Sequence, residues 1–328
     1  MGRCSFKEKE NKKIIVIGGP TACGKSLIAF LIAKEINGEI ISADSRLFYR
    51  EINIGTDKPP LWMRQEIPHH MIDILSIKED FNIYNFSKMV FNLTEEILKK
   101  GKIPLIVGGS GLYLRSLING IFEISEKSKE KQKEIREFLE RKDTEQLYEE
   151  LKKIDPEAAG RIHPNDRRRI RRAVEVYYLT GRPISLMQKD KPEKTLRDFG
   201  EIFYFILSRP REILYRRITE RIERMLKEGW IEEVKRLKEN GYEKLLREKA
   251  PIGYSEILDF LEGKIDKDRM KNLIIKKTKG LARRQLTWFR KENGIWIEVK
   301  DEEETAKKII DILKNGEGLY RGGEQFKK

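Results

Sequence analysis

The sequence predicts an α/β protein: a P-loop-type, doubly wound parallel sheet core carrying a helical insertion domain. Three observations carry that expectation. Short apolar runs alternate with amphipathic helical segments, a glycine-rich loop joins the first run to the first helix, and a block of alternating Lys and Glu interrupts the pattern in the middle of the chain. Lys13 to Gly18 (KIIVIG) is continuous and rich in β-branched residues, as in a strand covered on both faces. A helix is expected from Lys25 to Ile36, stopped by Asn37-Gly38, and Glu39 to Ala43 reads as the second strand. Tyr84 to Lys100 reads as a helix closed by Gly101, and Ile103 to Val107 as a third strand, ending in Gly108-Gly109-Ser110-Gly111. From Glu123 the texture changes to helical apolar spacing, such as Ile135, Phe138 and Leu139, with no buried-strand pattern. Ile202 to Leu207 returns to the sheet, long helices fill Arg211 to about Asn293, and a strand (Ile295 to Val299) and helix (Glu302 to Leu313) complete the core. Residues 1–122 and 201–328 are therefore expected to form the core and 123–200 the insertion, with disorder at residues 1 to 12 and from Asn315 onward. Strand–helix–strand units of this kind place ligands at the carboxyl ends of the strands.

Composition narrows the class further. Lys and Arg number 68 against 54 Asp and Glu, a net charge of +14, and 37% of the 328 residues are charged. No run approaches the roughly 18 apolar residues that span a bilayer, and MGRCSFKEKENKK has no apolar core to serve as a secretion signal. Two cysteines, Cys4 and Cys23, make neither a disulfide framework nor a four-ligand zinc site, which suits a reducing cytoplasm. The positive excess points to an anionic partner, and with no heptad seam evident a monomer is expected.

Gly19-Pro20-Thr21-Ala22-Cys23-Gly24-Lys25-Ser26 matches G-x-x-x-x-G-K-[ST] between a strand and a helix. Glycines let successive backbone N–H groups converge on an anion, the helix N-terminus adds its positive end, Lys25 supplies a point charge, and the Ser26 hydroxyl can ligate Mg²⁺. The loop signals a polyphosphate without saying which. Asp44, directly after the second strand, is expected to face this loop across a crevice between neighbouring strands, as a general base or a metal-shell ligand.

Basic segments form a second line of evidence. Arg167, Arg168, Arg169, Arg171 and Arg172 follow Asn165-Asp166, a plausible N-cap, while Ile170, Ala173, Val174 and Tyr177 make a core stripe. Arg269 to Lys291 holds nine Lys or Arg and no acid, which reads as a contact to a phosphate backbone; of Trp288 and Phe289, at least one belongs to the core. Arg217 and Arg221 lie one helical turn apart and share a face. His69 and His70 have no partner cluster for a metal, so packing or hydrogen bonding is expected of them.

Several motifs in order resemble one family, the tRNA dimethylallyltransferases, also called tRNA isopentenyltransferases. They are GPTACGKS (19–26), ADSRLFYREINIGTDKP (43–59), PHHMID (68–73), VGGSGLY (107–113), RIHPNDRRRIRRAVEV (161–176), RRITERIERML, Ile252-Gly253-Tyr254 and ARRQLTWFR (282–290). The resemblance implies transfer of a dimethylallyl group from dimethylallyl diphosphate to an adenosine beside the anticodon, with the phosphate loop holding the prenyl diphosphate. By similarity Asp44 is the base, with Ser110 beside it as a second catalytic residue, and Ser26 with Mg²⁺, Arg217 and Arg221 bind the diphosphate. Asp44, Ser45, Arg46, Leu47, Ser110, Arg168, Arg169, Arg171, Arg172, Arg283, Arg284, Gln285 and Arg290 match positions around the tRNA anticodon stem-loop. The sequence departs from the family pattern in Ser110, often Thr, in Gly280, expected to interrupt a helix, and in Ser125 to Gln132, which lacks the usual Pro and Arg pattern.

Overall fold

The apolar run at the start of the described chain is a strand, β1 (Lys13–Gly18), and the glycine loop joins it to α1 (Lys25–Glu35). The structure is a computed structural model that describes residues 12–121, 129–190 and 192–315. The expected disordered ends lie, apart from Lys12 and Asn315, outside the described residues, as does the first half, 125–128, of the departure at Ser125 to Gln132. β2 (Gly38–Ser42), α2 (Leu61–Glu66), β3 (His69–His70), α3 (Ile83–Lys99), β4 (Ile103–Gly108) and α4 (Gly111–Asn119) follow. Beyond the insertion come β5 (Glu201–Ser208) and a run of helices. The pattern closes with β6 (Ile295–Glu298).

Six parallel strands form one sheet in the order β3-β2-β4-β1-β5-β6. The two-residue period of a strand divides its side chains between two helical layers. Ile15 and Ile17 face one core with Leu105, Val107, Phe203 and Phe205, under Ile28 and Ile32 of α1. Ile14 and Val16 face the other with Ile106, Ile202 and Tyr204, under Phe86 and Val90 of α3 and Leu114 and Leu117 of α4. All four central residues of β1 are wholly buried, each worth about 1.5–3 kcal/mol relative to exposure. That is why the run is continuously apolar rather than alternating.

One expectation needs correction. β2 is not the neighbour of β1, because β4 lies between them. Asp44 still reaches the mouth of β1, because β4 ends in glycine: a Cβ on Gly108 would come within 2.4 Å of the Ala43 carbonyl. The intervening strand end is pared to bare backbone, so the chain leaving β2 leans across it.

The helices after β5 are α10 (Arg211–Lys227), α11 (Trp230–Glu239), α12 (Glu243–Lys249), α13 (Tyr254–Leu261) and α14 (Lys267–Phe289), with α15 (Glu302–Asn315) after β6. α14 runs unbroken through Gly280, contrary to the expected interruption. Glycine costs about 1 kcal/mol inside a helix, and burial of Met270, Ile274, Ala282 and Phe289 along α14 offsets that.

The chain divides into two compact units, residues 1–118 with 196–328, and residues 119–195. The second contains α5 (Lys129–Glu140), α6 (Thr144–Ile154), α7 (Pro156–Arg161), α8 (Arg167–Thr180) and α9 (Ile184–Met187) around Leu139, Leu147, Leu151, Ile170 and Val174. Asp143 and Gln146 form a capping box on α6, and Asp166 caps α8 by accepting from Arg169 N at 3.2 Å.

Candidate functional site

At the carboxyl ends of β1, β2 and β4 lies a cavity of about 960 Å³ within the first unit. Thr21, Ala22, Gly24, Lys25 and Ser26 of the glycine loop form one wall, Asp44 and Leu47 a second, and Gly109 the strip between them. The chain from Asn53 to Arg64 closes one side, and α10 closes another through Arg217, Glu220, Arg221 and Arg224. Gly19, Pro20 and Cys23 belong to the loop but not to the cavity lining: Cys23 is wholly buried and unpaired, a loop filler, and Pro20 O accepts from Lys25 Nζ at 2.7 Å.

Side chains from distant segments hold the loop. Gln285 of α14, one of the residues expected around the tRNA, clips it: Oε1 accepts from Thr21 N at 2.9 Å while Nε2 donates to Gly109 O at 2.9 Å. Arg217 donates through Nε to Ala22 O at 3.1 Å, and Arg221 through Nη1 to Thr21 Oγ1 at 2.9 Å. Asp57, in a left-handed backbone conformation, stands 3.2 Å from Arg221 and 2.6 Å from Arg224, so one carboxylate gathers two of the guanidiniums bordering the cavity. Lys58 donates to Tyr49 O, Asn53 Oδ1 and Asp73; burial pulls its ammonium below the ordinary lysine range, against the pull of Asp73.

Asp44 is half-buried, and its Oδ1 accepts from Arg46 N at 3.0 Å in a tight turn, so the carboxylate is aimed by its own backbone. Ser110 directly precedes α4, its carbonyl accepting from Tyr113 N and Leu114 N at 3.0 and 3.2 Å, and it lies one residue beyond the cavity wall. Ser45 meets the Tyr113 hydroxyl, whose pKa burial raises. Arg46 is exposed, its guanidinium on Lys249 O.

The basic segments are less open than their sequence suggests. On α14, Lys271 pairs with Glu223 at 2.5 Å and Lys277 pairs with Glu256, whereas Arg283, Arg284 and Arg290 are exposed. In the second unit Arg169 meets Asp166, Arg171 meets Glu140 and Arg172 meets Glu175, while Arg168 is exposed. The acid-free run is thus partly neutralised by acids from other helices. Phe289 is wholly buried, and Trp288 is half-buried under the Arg115 guanidinium, 4.5 Å from its ring. His69 Nδ1 meets Ile67 O and His70 Nε2 meets Glu39, each at 2.7 Å.

Asp57, Lys58, Arg224 and Glu302 were not singled out by sequence. Arg224 follows Arg221 by three residues on the same helical face, a signal that could have found it. For a metal, Ser26 Oγ and the Asp44 carboxylate are hard oxygen donors on one cavity, while no group of three His, Cys, Asp or Glu gathers among the described residues. Such a donor set fits Mg²⁺, which takes few protein ligands and completes its shell with substrate oxygens and water.

The parallel sheet, glycine loop and guanidinium-lined cavity define a P-loop-like α/β enzyme. The family model for IPP transferase matches residues 47–292, and the tRNA dimethylallyltransferase of Thermotoga neapolitana is 44% identical over 304 residues, covering 92% of this chain and 98% of that protein. The chain belongs to the IPP transferase family and is an enzyme of the tRNA dimethylallyltransferase type. A Thermoanaerobacter relative of the same name is 42% identical over 306 residues, covering 92% of this chain and 97% of that one. Among solved structures, a tRNA isopentenylpyrophosphate transferase from Staphylococcus epidermidis superposes with a TM-score of 0.66 at 33% identity, over 93% of this chain and all (100%) of that one. A eukaryotic dimethylallyltransferase acting on tRNA gives 0.79 at 29% identity, over 95% of this chain and 82% of that one.

Proposed function

We propose that this chain transfers the dimethylallyl group of dimethylallyl diphosphate to the exocyclic N6 amine of the adenosine next to the tRNA anticodon, position 37, releasing diphosphate. One observation carries the reading: the phosphate loop, the α10 arginines and Asp44 all border a single cavity. Its volume of about 960 Å³ leaves room for a base beside a prenyl diphosphate.

An adenine amine is a weak nucleophile because its lone pair is delocalised into the ring. Diphosphate leaves readily only when its developing charge is met. As the nitrogen–carbon bond forms and the carbon–oxygen bond to diphosphate breaks, Asp44 takes the amine proton, a role worth about 10²–10⁴ in rate. Lys25, Arg217, Arg221 and the loop N–H groups stabilise the leaving diphosphate. Lys25 exchanges its bond to Pro20 O for the anion, and Arg221 turns from Asp57. Ser26 would hold Mg²⁺, which would supply further positive charge to the leaving diphosphate. Extruding an unpaired loop base costs less than extruding one from a duplex, which suits an anticodon stem-loop.

The exposed Arg168, Arg283, Arg284 and Arg290 meet the RNA backbone, with the insertion, residues 123–200, as a tRNA-contacting domain. The enzyme acts as a monomer on cytoplasmic tRNA; no described helix is long and apolar enough to cross a membrane. Mass spectrometry of nucleosides from tRNA incubated with the protein and dimethylallyl diphosphate tests the reaction, and an adenosine left unmodified refutes it. Asp44→Asn is expected to lower prenyl transfer by about 10²–10⁴ while tRNA binding is retained.

A further inference from the structure

We infer that Glu302, which lies beyond the segment matched by the family model, is a positioning residue that sets the phosphate loop through a two-armed arginine clamp. A loop cradles an anion only when its N–H groups converge, and this obliges its carbonyls to turn away and find donors elsewhere. Two consecutive carbonyls here do so: Ala22 O accepts from Arg217 Nε at 3.1 Å and Cys23 O from Arg209 Nε at 3.2 Å. In a trans peptide the N–H opposes the C=O, so the N–H groups of Cys23 and Gly24 are fixed in the opposite direction. The loop does not hold this shape by propensity. Ala22 sits at φ +63°, a left-handed conformation that costs a non-glycine residue about 1–2 kcal/mol.

Both arms end on one atom. Glu302 Oε1 is 2.8 Å from Arg217 Nη2 and 2.6 Å from Arg209 Nη2, the latter an ionic contact out of line for a hydrogen bond. The Arg209 side chain is only 4% exposed and also donates to Lys300 O at 3.2 Å. Glu302 further lies against the Gly24 Cα, where a Cβ would come 2.9 Å from Oε1; Gly24 at φ +100° is thus required by conformation and by space.

The fold fixes Glu302 itself. Val299 N donates to Ser208 O at 2.8 Å, joining the ends of β5 and β6, and Asp301 Oδ1 caps α15 by accepting from Glu303 N and Glu304 N. Without the carboxylate, Arg209 is left as a buried charge lacking its counter-ion, and its hold on Cys23 O loosens.

The inference rests on the proposed diphosphate site. Charge alone predicts the opposite sign, since deleting an acid beside an anion site strengthens anion binding; the direction of change therefore decides. Inorganic pyrophosphate binding by calorimetry, with KM for dimethylallyl diphosphate and for tRNA, is measured on the full chain and on Glu302→Gln. Arg209→Lys, which keeps the charge but loses the Nε donor, is the second variant. Both are expected to raise pyrophosphate Kd and the dimethylallyl diphosphate KM about tenfold, leaving the tRNA KM unchanged. Unchanged or tighter pyrophosphate binding overturns the inference, as does an equal rise in both KM values, the mark of general destabilisation. A wild-type chain that binds neither pyrophosphate nor dimethylallyl diphosphate removes the site reading itself, and the inference with it.

Discussion

Glu39 shows how much a single buried carboxylate can carry in this chain. At 2% exposure, burial alone would raise its pKa; hydrogen bonds from Lys102 and His70 and the charge of Lys100 outweigh that and bring it down to about 2. The folded value lies below the ordinary 4.5, so as acidity rises the unfolded chain takes up the proton first. The stabilisation is present in full above pH ~4.5 and is lost as pH falls toward 2. Glu39→Gln is therefore expected to cost on the order of 3 kcal/mol at pH 7, the gap closing between pH 4.5 and 2 in urea denaturation. At this scale the sequence exposed residues whose role is written in local motifs, such as Asp44 after its strand and Lys25 in its loop. It hid Asp57, Arg209 and Glu302, because each matters through partners roughly 90 to 190 residues away in the chain.

Elements were legible in proportion to their own periodicity. β1, β4 and β5 announce themselves by continuous apolar runs, since helices cover both faces of each. β3 does not: it is two histidines paired with Ile40 and Ile41, and only the register of β2 makes them a strand. At Gly280 of α14, local propensity argues for a break and tertiary burial overrides it. A Cβ there would meet only Arg284 Nη1, at 3.4 Å. Gly280→Ala is accordingly expected to stabilise the protein by about 1 kcal/mol, seen as a rise of about 2 °C in Tm.

For the molecule as a whole, the net charge of +14 resolves into unequal parts. Lys271, Lys277, Arg171 and Arg172 are matched by acids from other turns or helices; the pairs exposed on both sides, Lys271 with Glu223 and Arg171 with Glu140, hold by only about 0–1 kcal/mol. Arg283, Arg284 and Arg290 stay exposed. Replacing those three with alanine is expected to raise the tRNA KM and flatten its salt dependence, by about 0.7–0.9 in log–log slope for each RNA phosphate that the variant no longer neutralises. The KM for dimethylallyl diphosphate should not move; an equal change in both would show that the arginines act on the fold instead.

By itself the sequence determined the fold class, the phosphate loop and the family, because each is encoded in contiguous residues whose spacing has a local physical meaning. Only the tertiary structure decided that β4 separates β2 from β1, that Gln285 clips the loop, and that part of the basic track is already neutralised. Those outcomes depend on which distant carbonyls and carboxylates arrive beside a given side chain, and sheet order and helix packing set that.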